Sequence, residues 1–309
     1  MEFESFSADI VIPFYNNWRA LCDLVVEIER CLDKYPSIKV FAIDDGSTDS
    51  NSEVPGIFSS DSRFSIITHP QNRGRASALN TGLFAGESRF VIFLDVDCTP
   101  QYGWLDHFYQ GACSGYDCVF GNLRAEGKTY WSRYLNETYE KKARAYISGS
   151  LDFITPFCML RRDLLQNVGG FCEEYTRYGF EDRDLIQRLL TSVEINPLFL
   201  ESVYATHSVP KSLDSVLRKA SEAGEFSAKI FSRQFPSFYR KQSYWYFDAR
   251  EHSAFYGIGF FVIWFLIDRN ILWIKSLMER EMLPYVAWRF FVKLSSGLAF
   301  FYGTLQGRK

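Results

Sequence analysis

Short apolar segments alternate with helix-like segments through the first 100 residues, and this alternation restricts the fold more than any other feature. Four runs rich in β-branched and aromatic residues predict strands at residues 9–13, 39–43, 64–68 and 90–94. Between these strands, the apolar side chains of residues 18–32 have helical spacing, and residues 76–85 form a second helix-like run. We therefore predict an α/β fold with a mostly parallel sheet that helices cover on both faces.

Polar clusters directly follow three of the predicted strands, at residues 14–17 (FYNN), 44–49 (DDGSTD) and 95–97 (DVD). Ligands of such sheets bind beyond the carboxyl ends of the strands, so these clusters should meet in one crevice. A lone D-x-D pair such as Asp95 and Asp97 is more often a solvated loop, and DDGSTD alone could be a turn with a helix cap. Two carboxylate clusters at neighbouring strand ends favour a functional site.

A crevice rich in carboxylates repels an anionic ligand such as a diphosphate. It can hold one only when a hard cation bridges the carboxylates and the diphosphate. The sequence therefore predicts Mn²⁺ or Mg²⁺, which accept oxygen ligands, as the cofactor. The seven cysteines are scattered and include no C-x-x-C pair. Neither a disulfide framework nor a zinc site is expected.

Four segments together resemble family 2 glycosyltransferases of the GT-A fold: residues 12–16 (IPFYN), 44–49 (DDGSTD), 72–82 (NRGRASALNTG) and 93–100 (FLDVDCTP). A fifth, residues 169–189, resembles the acceptor-side motif that many members share with galactosyltransferases. The resemblance implies a Rossmann-like GT-A domain at residues 1–210, with a nucleotide-sugar-binding half (1–120) and an acceptor-side half (121–210). It also implies a metal-dependent, inverting, hexosyltransferase-like enzyme that uses a nucleotide-sugar, most commonly a UDP-sugar.

Matched motif by motif, the resemblance implies roles for individual residues. Asp97 would be the direct metal ligand, His207 would be a further metal ligand, and Asp95 would contact the ribose or the metal. Asp182 would be the catalytic base, and the adjacent Glu181 would contact the acceptor or the donor sugar. The implied donor and nucleotide contacts are Pro13, Tyr15, Asp44, Asp45, Arg73, Arg75 and Asp95.

The chemistry of inversion supports a carboxylate base independently, because direct displacement needs one group to accept the proton of the attacking hydroxyl. The cation would stabilise the departing diphosphate. Without the resemblance, Glu181 and Asp182 would be interpreted as an acidic first turn that is favourable to a helix dipole.

The C-terminal third of the chain has a different composition. Residues 1–210 carry 19 basic and 29 acidic side chains, whereas residues 211–309 carry 15 basic and 8 acidic ones. Three segments predict a helical extension: an amphipathic run at 212–231, an uncharged run at 254–267 and an apolar run at 283–303. The uncharged run is too short to span a bilayer. Because Arg289 and Lys293 share one helical face, we expect residues 211–309 to lie on a membrane surface. Core helices or a dimer contact are the alternative.

The predicted function is transfer of a sugar to a glycan or lipid-linked acceptor in polysaccharide biosynthesis. No signal peptide is recognisable, so the expected location is cytoplasmic, at the inner face of a membrane. A catalytically silent nucleotide-sugar-binding scaffold of a glycan-assembly complex is the alternative. No glycine-rich phosphate loop follows the first strand, which disfavours nucleotidyltransferases and dehydrogenases. Long apolar runs argue against nucleic acid as a partner, and a homo-oligomer is compatible with the sequence.

Overall fold

A computed structural model describes residues 6–49, 56–150, 154–210, 212–252 and 275–307. The chain divides into two compact units. The first comprises Met1–Glu126, Leu135–Thr176 and Glu181–Ser208, and the second comprises Gly127–Tyr134, Arg177–Phe180 and Val209–Lys309.

The first unit contains an eight-stranded mixed sheet with the order β3-β2-β1-β4-β7-β6-β8-β5. Its strands are β1 (Ala8–Phe14), β2 (Lys39–Asp44), β3 (Phe64–Thr68), β4 (Phe90–Leu94), β5 (Cys98–Pro100), β6 (Cys118–Arg124), β7 (Phe157–Arg161) and β8 (Pro197–His207). The first four strands run parallel, as predicted. The strand β7 is antiparallel to both neighbours, β6 is parallel to β8, and β5 is antiparallel to β8.

The helices, in chain order, are α1 (Trp18–Leu32), α2 (Ile57–Ser60), α3 (Arg75–Ala85), α4 (Trp104–Cys113), α5 (Tyr130–Ile147), α6 (Arg162–Asn167), α7 (Glu181–Ser192), α8 (Leu213–Glu222), α9 (Ala228–Gln234), α10 (Pro236–Tyr239) and α11 (Tyr285–Gln306). A π-helical turn, Ala223–Ser227, joins α8 to α9, and a 3₁₀ turn covers Ser243–Phe247. The sequence predicted α1 at these bounds, whereas β5, β6, β7 and β8 were not predicted.

The helix α3 packs closely against the first strand of the sheet. Every residue of β1 and β4 is buried, as expected for parallel strands that are covered on both faces. At Gly82 of α3, a Cβ atom would lie 2.3 Å from Cγ1 of Val11, so only glycine permits this approach. The N-terminus of α3 lies beside the carboxyl end of β2, where the N–H of Gly74 donates to Asp45.

The second unit is helical among its described residues. Ser212 caps α8 by accepting a hydrogen bond of 3.2 Å from the backbone N–H of Ser215. A buried cluster that includes Leu213, Met278 and Trp288 packs α8 against α11. Among the residues described, no helix has the length and apolar character needed to cross a bilayer. The predicted apolar run at 254–267 lies outside the described residues.

Candidate active site

The loops that follow β1 and β2 are bound to each other by Asn16, which adopts a left-handed φ of 51°. Its Oδ1 accepts hydrogen bonds from the backbone N–H groups of Thr48 (2.7 Å) and Asp49 (3.1 Å). Its own N–H donates to Ser47 Oγ at 2.9 Å, and the N–H of Ser47 donates to Asp44 Oδ1 at 2.9 Å. The two polar clusters thus form one continuous edge, as expected, and Asn16 is the connecting residue that the sequence did not identify.

The carboxylate of Asp45 is buried and holds the loop that leads into α3. It accepts hydrogen bonds from the backbone N–H groups of Arg73 (2.9 Å) and Gly74 (2.8 Å), and it lies 2.8 Å from His69 Nδ1. Only 4% of Asp45 is exposed. Its visible partners are therefore groups of the chain itself, and a contact with the nucleotide stays a prediction.

The predicted residues Pro13, Tyr15 and Arg73 lie around the same edge. Pro13 is buried in β1, whereas 43% of Tyr15 is exposed at the end of that strand. The guanidinium of Arg73 makes an exposed ion pair with Glu173, at 2.9 Å. Tyr15 and Arg73 are thus accessible to a ligand at this edge.

Arg75, the first residue of α3, lies at the centre of a cluster of three carboxylates. Its guanidinium donates to Asp95 Oδ1 at 2.7 Å, to Asp182 Oδ1 at 2.8 Å and to Glu181 Oε1 at 3.1 Å. The hydroxyl of the fully buried Thr155 lies 3.3 Å from the same guanidinium and donates to Asp182 Oδ1. Arg75 therefore joins the strand end that carries Asp95 to the start of α7.

The two acidic residues at the start of α7 have different protonation behaviour. Burial and the charge of Asp182 raise the pKa of Glu181 to about 7. Its Oε2 is buried and has no hydrogen-bond partner among the described residues, as suits a carboxyl that takes up a proton. Burial opposes ionisation of Asp182 too, but Arg75 and the hydrogen bond from Thr155 outweigh it and lower its pKa. Within the pair, Asp182 therefore ionises more readily than Glu181.

Asp97 lies in a separate pair with His207. The antiparallel pairing of β5 with β8 sets Cys98 opposite His207, and this brings His207 Nε2 to 3.6 Å from Asp97 Oδ2. The N–H of Ser208 donates to the backbone oxygen of Asp97 at 3.1 Å. The hydroxyl of Tyr139 lies 2.5 Å from His207 Nδ1, on the other side of the ring.

The Asp97 pair fits a divalent cation better than a soft metal. Within the described part of the chain, ligand atoms of Asp97, Cys98 and His207 lie within 4.8 Å of one another. Burial raises the pKa of the Cys98 thiol well above its usual range, and a neutral thiol is a poor ligand for a hard cation. One carboxylate and one imidazole remain, close enough to share Mn²⁺ or Mg²⁺. Asp95, in contrast, is bound by Arg75.

Two family models match this chain. The model described as glycosyl transferase family 2 matches residues 9–169, and the model described as the N-terminal domain of galactosyltransferase matches residues 143–197. The first match includes Asp45, Arg75, Asp95 and Asp97. The second includes Glu181 and Asp182.

Two curated relatives have similar sequences over part of their length. The pre-mycofactocin glycosyltransferase of Mycobacterium tuberculosis is 29% identical over 190 residues, which cover 59% of this chain and 38% of the relative. Glycosyltransferase AglE of Haloferax volcanii is 29% identical over 174 residues, which cover 52% of this chain and 55% of the relative. The matched region thus spans about two fifths of the first relative and little more than half of the second.

A solved structure supports the fold over nearly the whole chain. The mannosyltransferase PcManGT from Pyrobaculum calidifontis, determined in complex with GDP-Man and Mn²⁺, matches with a TM-score of 0.61 and 16% identity. The match covers 99% of this chain and 89% of that chain. The predicted fold class is confirmed.

Proposed function

Because the chain belongs to glycosyl transferase family 2, we propose that it transfers a sugar from a nucleotide-sugar donor to a hydroxyl of a glycan or lipid-linked acceptor, with inversion. The observation that carries this proposal is the cluster of Arg75 with Asp95, Glu181 and Asp182, next to the Asp97–His207 pair. The cluster offers an ionised carboxylate for the acceptor, and the pair offers ligands for a cation.

Asp182 is the proposed base. Arg75 and Thr155 both bind its Oδ1, which fixes the side chain and keeps it ionised. An ionised, fixed carboxylate can accept the proton of the acceptor hydroxyl as that oxygen attacks the anomeric carbon. Glu181 has the higher pKa and is better suited to a hydrogen bond with a sugar hydroxyl.

Asp97 and His207 are the proposed ligands of Mn²⁺ or Mg²⁺. When bound, the cation would neutralise the charge that develops on the departing diphosphate. The Mn²⁺ in the PcManGT complex supports a divalent cation in this fold. Asp95 is proposed to contact the ribose or the cation, beside its ion pair with Arg75.

The proposed donor is a UDP-sugar, the common choice in this family. GDP-Man in the PcManGT complex makes a GDP-sugar the alternative that must be tested beside it. Contacts to the nucleotide are proposed for Pro13, Tyr15, Asp44, Asp45 and Arg73. Binding of a panel of UDP- and GDP-sugars to the full-length chain will distinguish the two bases.

Release of the nucleoside diphosphate from the donor that binds tests the function. We expect the rate to fall by about 10²-fold or more in Asp97→Ala, in Asp182→Asn and after chelation of the metal. Asp23→Asn, an exposed aspartate of α1, is the matched control and should keep full activity. Turnover that is indifferent to chelator and to Asp97→Ala would exclude the cation. Donor binding without any turnover would favour the silent scaffold instead.

The outer face of α11 supports the further proposal that residues 211–309 bind the cytoplasmic face of a membrane. Val286 and Phe290 are 80% and 60% exposed, and the exposed Arg289 and Lys293 lie beside them. Trp288 on the opposite face is buried and cannot contact lipid. An apolar stripe flanked by basic residues suits an anionic lipid surface.

Co-sedimentation of the full chain with vesicles tests this proposal. We expect binding to vesicles that contain phosphatidylserine and much weaker binding to pure phosphatidylcholine. Val286→Ser/Phe290→Ser should lose most of the bound fraction, whereas Val26→Ser, an exposed apolar residue of α1, should not. Equal recovery of the double variant and the parent chain would refute the lipid contact.

A further inference from the structure

The side chain of Tyr139, on α5, contacts the imidazole of His207. Its hydroxyl lies 2.5 Å from His207 Nδ1, and the two rings meet at 66° with their centroids 6.0 Å apart. Only 8% of Tyr139 is exposed. The other ring nitrogen, Nε2, lies 3.6 Å from Asp97 Oδ2. His207 therefore lies between a buried phenol and the carboxylate that is the firmest proposed metal ligand.

The chemistry of imidazole decides what such a phenol can do. A nitrogen that binds a cation must offer its lone pair, so the other nitrogen carries the proton and needs an acceptor. Here Nε2 is the nitrogen on the Asp97 side and Nδ1 is the nitrogen on the Tyr139 side. The phenol oxygen of Tyr139 is placed to accept the hydrogen bond from Nδ1–H.

We propose that Tyr139 is a positioning residue of the cation site. By accepting the Nδ1–H of His207, it holds the ring in one orientation and leaves the Nε2 lone pair directed towards Asp97. This inference rests on the proposed function, because it concerns the cation that the proposed reaction requires. Tyr139 would act through the His207 ring and would not itself be a ligand of the cation.

The binding of Mn²⁺ to the full-length chain, followed by the electron paramagnetic resonance signal of free Mn²⁺, tests this role without a turnover assay. The titration is made with Mn²⁺ alone and with Mn²⁺ in the presence of UDP or GDP. Tyr139→Phe keeps the ring and removes the hydroxyl, and we expect it to raise the Kd for Mn²⁺ by about 10- to 100-fold. The effect on the Kd for Mg²⁺, measured by competition, should be smaller because imidazole suits Mn²⁺ better.

Two further variants separate positioning from packing. Tyr146→Phe changes another tyrosine of α5, one that packs against Phe199, and should leave the Kd for Mn²⁺ unchanged. In His207→Ala the ligand is absent, so adding Tyr139→Phe should raise the Kd no further. Circular dichroism of each variant establishes that it is folded.

The outcomes distinguish this inference from the function on which it rests. If the parent chain binds Mn²⁺ and folded Tyr139→Phe binds it equally well, the positioning role is overturned and the cation site stands. An equal loss in Tyr146→Phe, or a further loss on the His207→Ala background, also overturns it. If the parent chain binds no Mn²⁺ even with UDP or GDP, both the cation site and the role of Tyr139 are overturned.

Discussion

Replacement of Arg75 by methionine should impair activity in a way that depends strongly on pH. Methionine keeps an unbranched stem but removes the only cation that contacts Asp95, Glu181 and Asp182 in the described structure. At separations of about 4 Å and an effective dielectric constant of about 20, one such charge pair is worth roughly 4 kcal/mol. The Arg75 side chain is 25% exposed, so this figure is an upper estimate.

A loss of that size acts mainly on the ionisation of Asp182. The charge of Arg75 is one of the factors that lower its pKa, so Arg75→Met should raise it and extend protonation of the base to higher pH. Since about 1.4 kcal/mol corresponds to a factor of ten and the parent pKa lies below that of an ordinary carboxyl, we expect kcat/KM to fall little at pH 7 and by about tenfold or more at pH 5.5. The loss should disappear as the pH rises towards 9, because the base is then fully ionised.

The assay is the release of nucleoside diphosphate between pH 5.5 and 9.5. Arg75→Lys keeps a charge without the planar fork and should give an intermediate loss. Asp182→Asn should be inactive at every pH. Arg161→Met removes an arginine that bridges Asp117 and Asp163, and should leave the acidic limb of the profile unchanged. An Arg75→Met profile with the acidic limb of the parent chain, and kcat/KM at pH 5.5 within threefold of the parent value, would refute the reasoning.

Three other substitutions test the supports of the site. Asp45→Ala removes the acceptor of the Gly74 N–H and leaves that buried donor unpaired. The free energy of unfolding, measured by urea titration, should therefore fall by about 1–3 kcal/mol. An unchanged free energy would contradict the role of Asp45 in holding the loop before α3. Glu181→Gln should stabilise the chain at pH 8 but not at pH 4. Because the pKa of Glu181 is raised in the native state, the parent chain loses stability as the pH rises from about 4.5 to about 7, by about 3 kcal/mol at most. Equal stability of the parent chain and Glu181→Gln at pH 8 would exclude this cost of ionisation. Gly46→Ala should lower Tm and weaken donor binding, because Gly46 has a φ of 72° and a Cβ at this position would lie 2.4 Å from the backbone of Gln71. A Tm and a donor Kd equal to those of the parent chain would show that the position does not require glycine.

The parallel half of the fold could be predicted from the sequence because its signals are local. The runs that became β1, β2 and β4 are buried along almost their whole length, as strands under two helical layers must be, whereas the edge strand β3 is only partly buried. The strand β8 gives no such signal, because its residues alternate irregularly between buried and exposed positions. Glu201, for example, is exposed and Tyr204 is half-buried. It also shifts register against β6 at Gly121/Asn122, and such a bulge depends on the partner strand.

The same distinction explains which parts of the site were predicted. Asp45, Asp95, Asp97 and Asp182 lie in motifs that a single sequence displays. Arg75 was predicted as a donor contact, but its ion pairs were not, because its partners lie 20, 106 and 107 residues away and no local pattern links them. Thr155 and Tyr139 are single polar residues in segments without a motif, so the sequence offered no signal for either.

The two aspartates of the D-x-D segment owe their different environments to different parts of the chain. Asp95 ends the parallel half of the sheet, and its backbone N–H donates to Pro156 O beside β7. Its carboxylate is already paired with a guanidinium, and the like charge of Asp97 adds to burial in raising its pKa. Asp97 gains its imidazole neighbour only through β8, more than 100 residues later. Asp97 is therefore the firmer proposed metal ligand, and its imidazole neighbour depends on the pairing of β8 with β5.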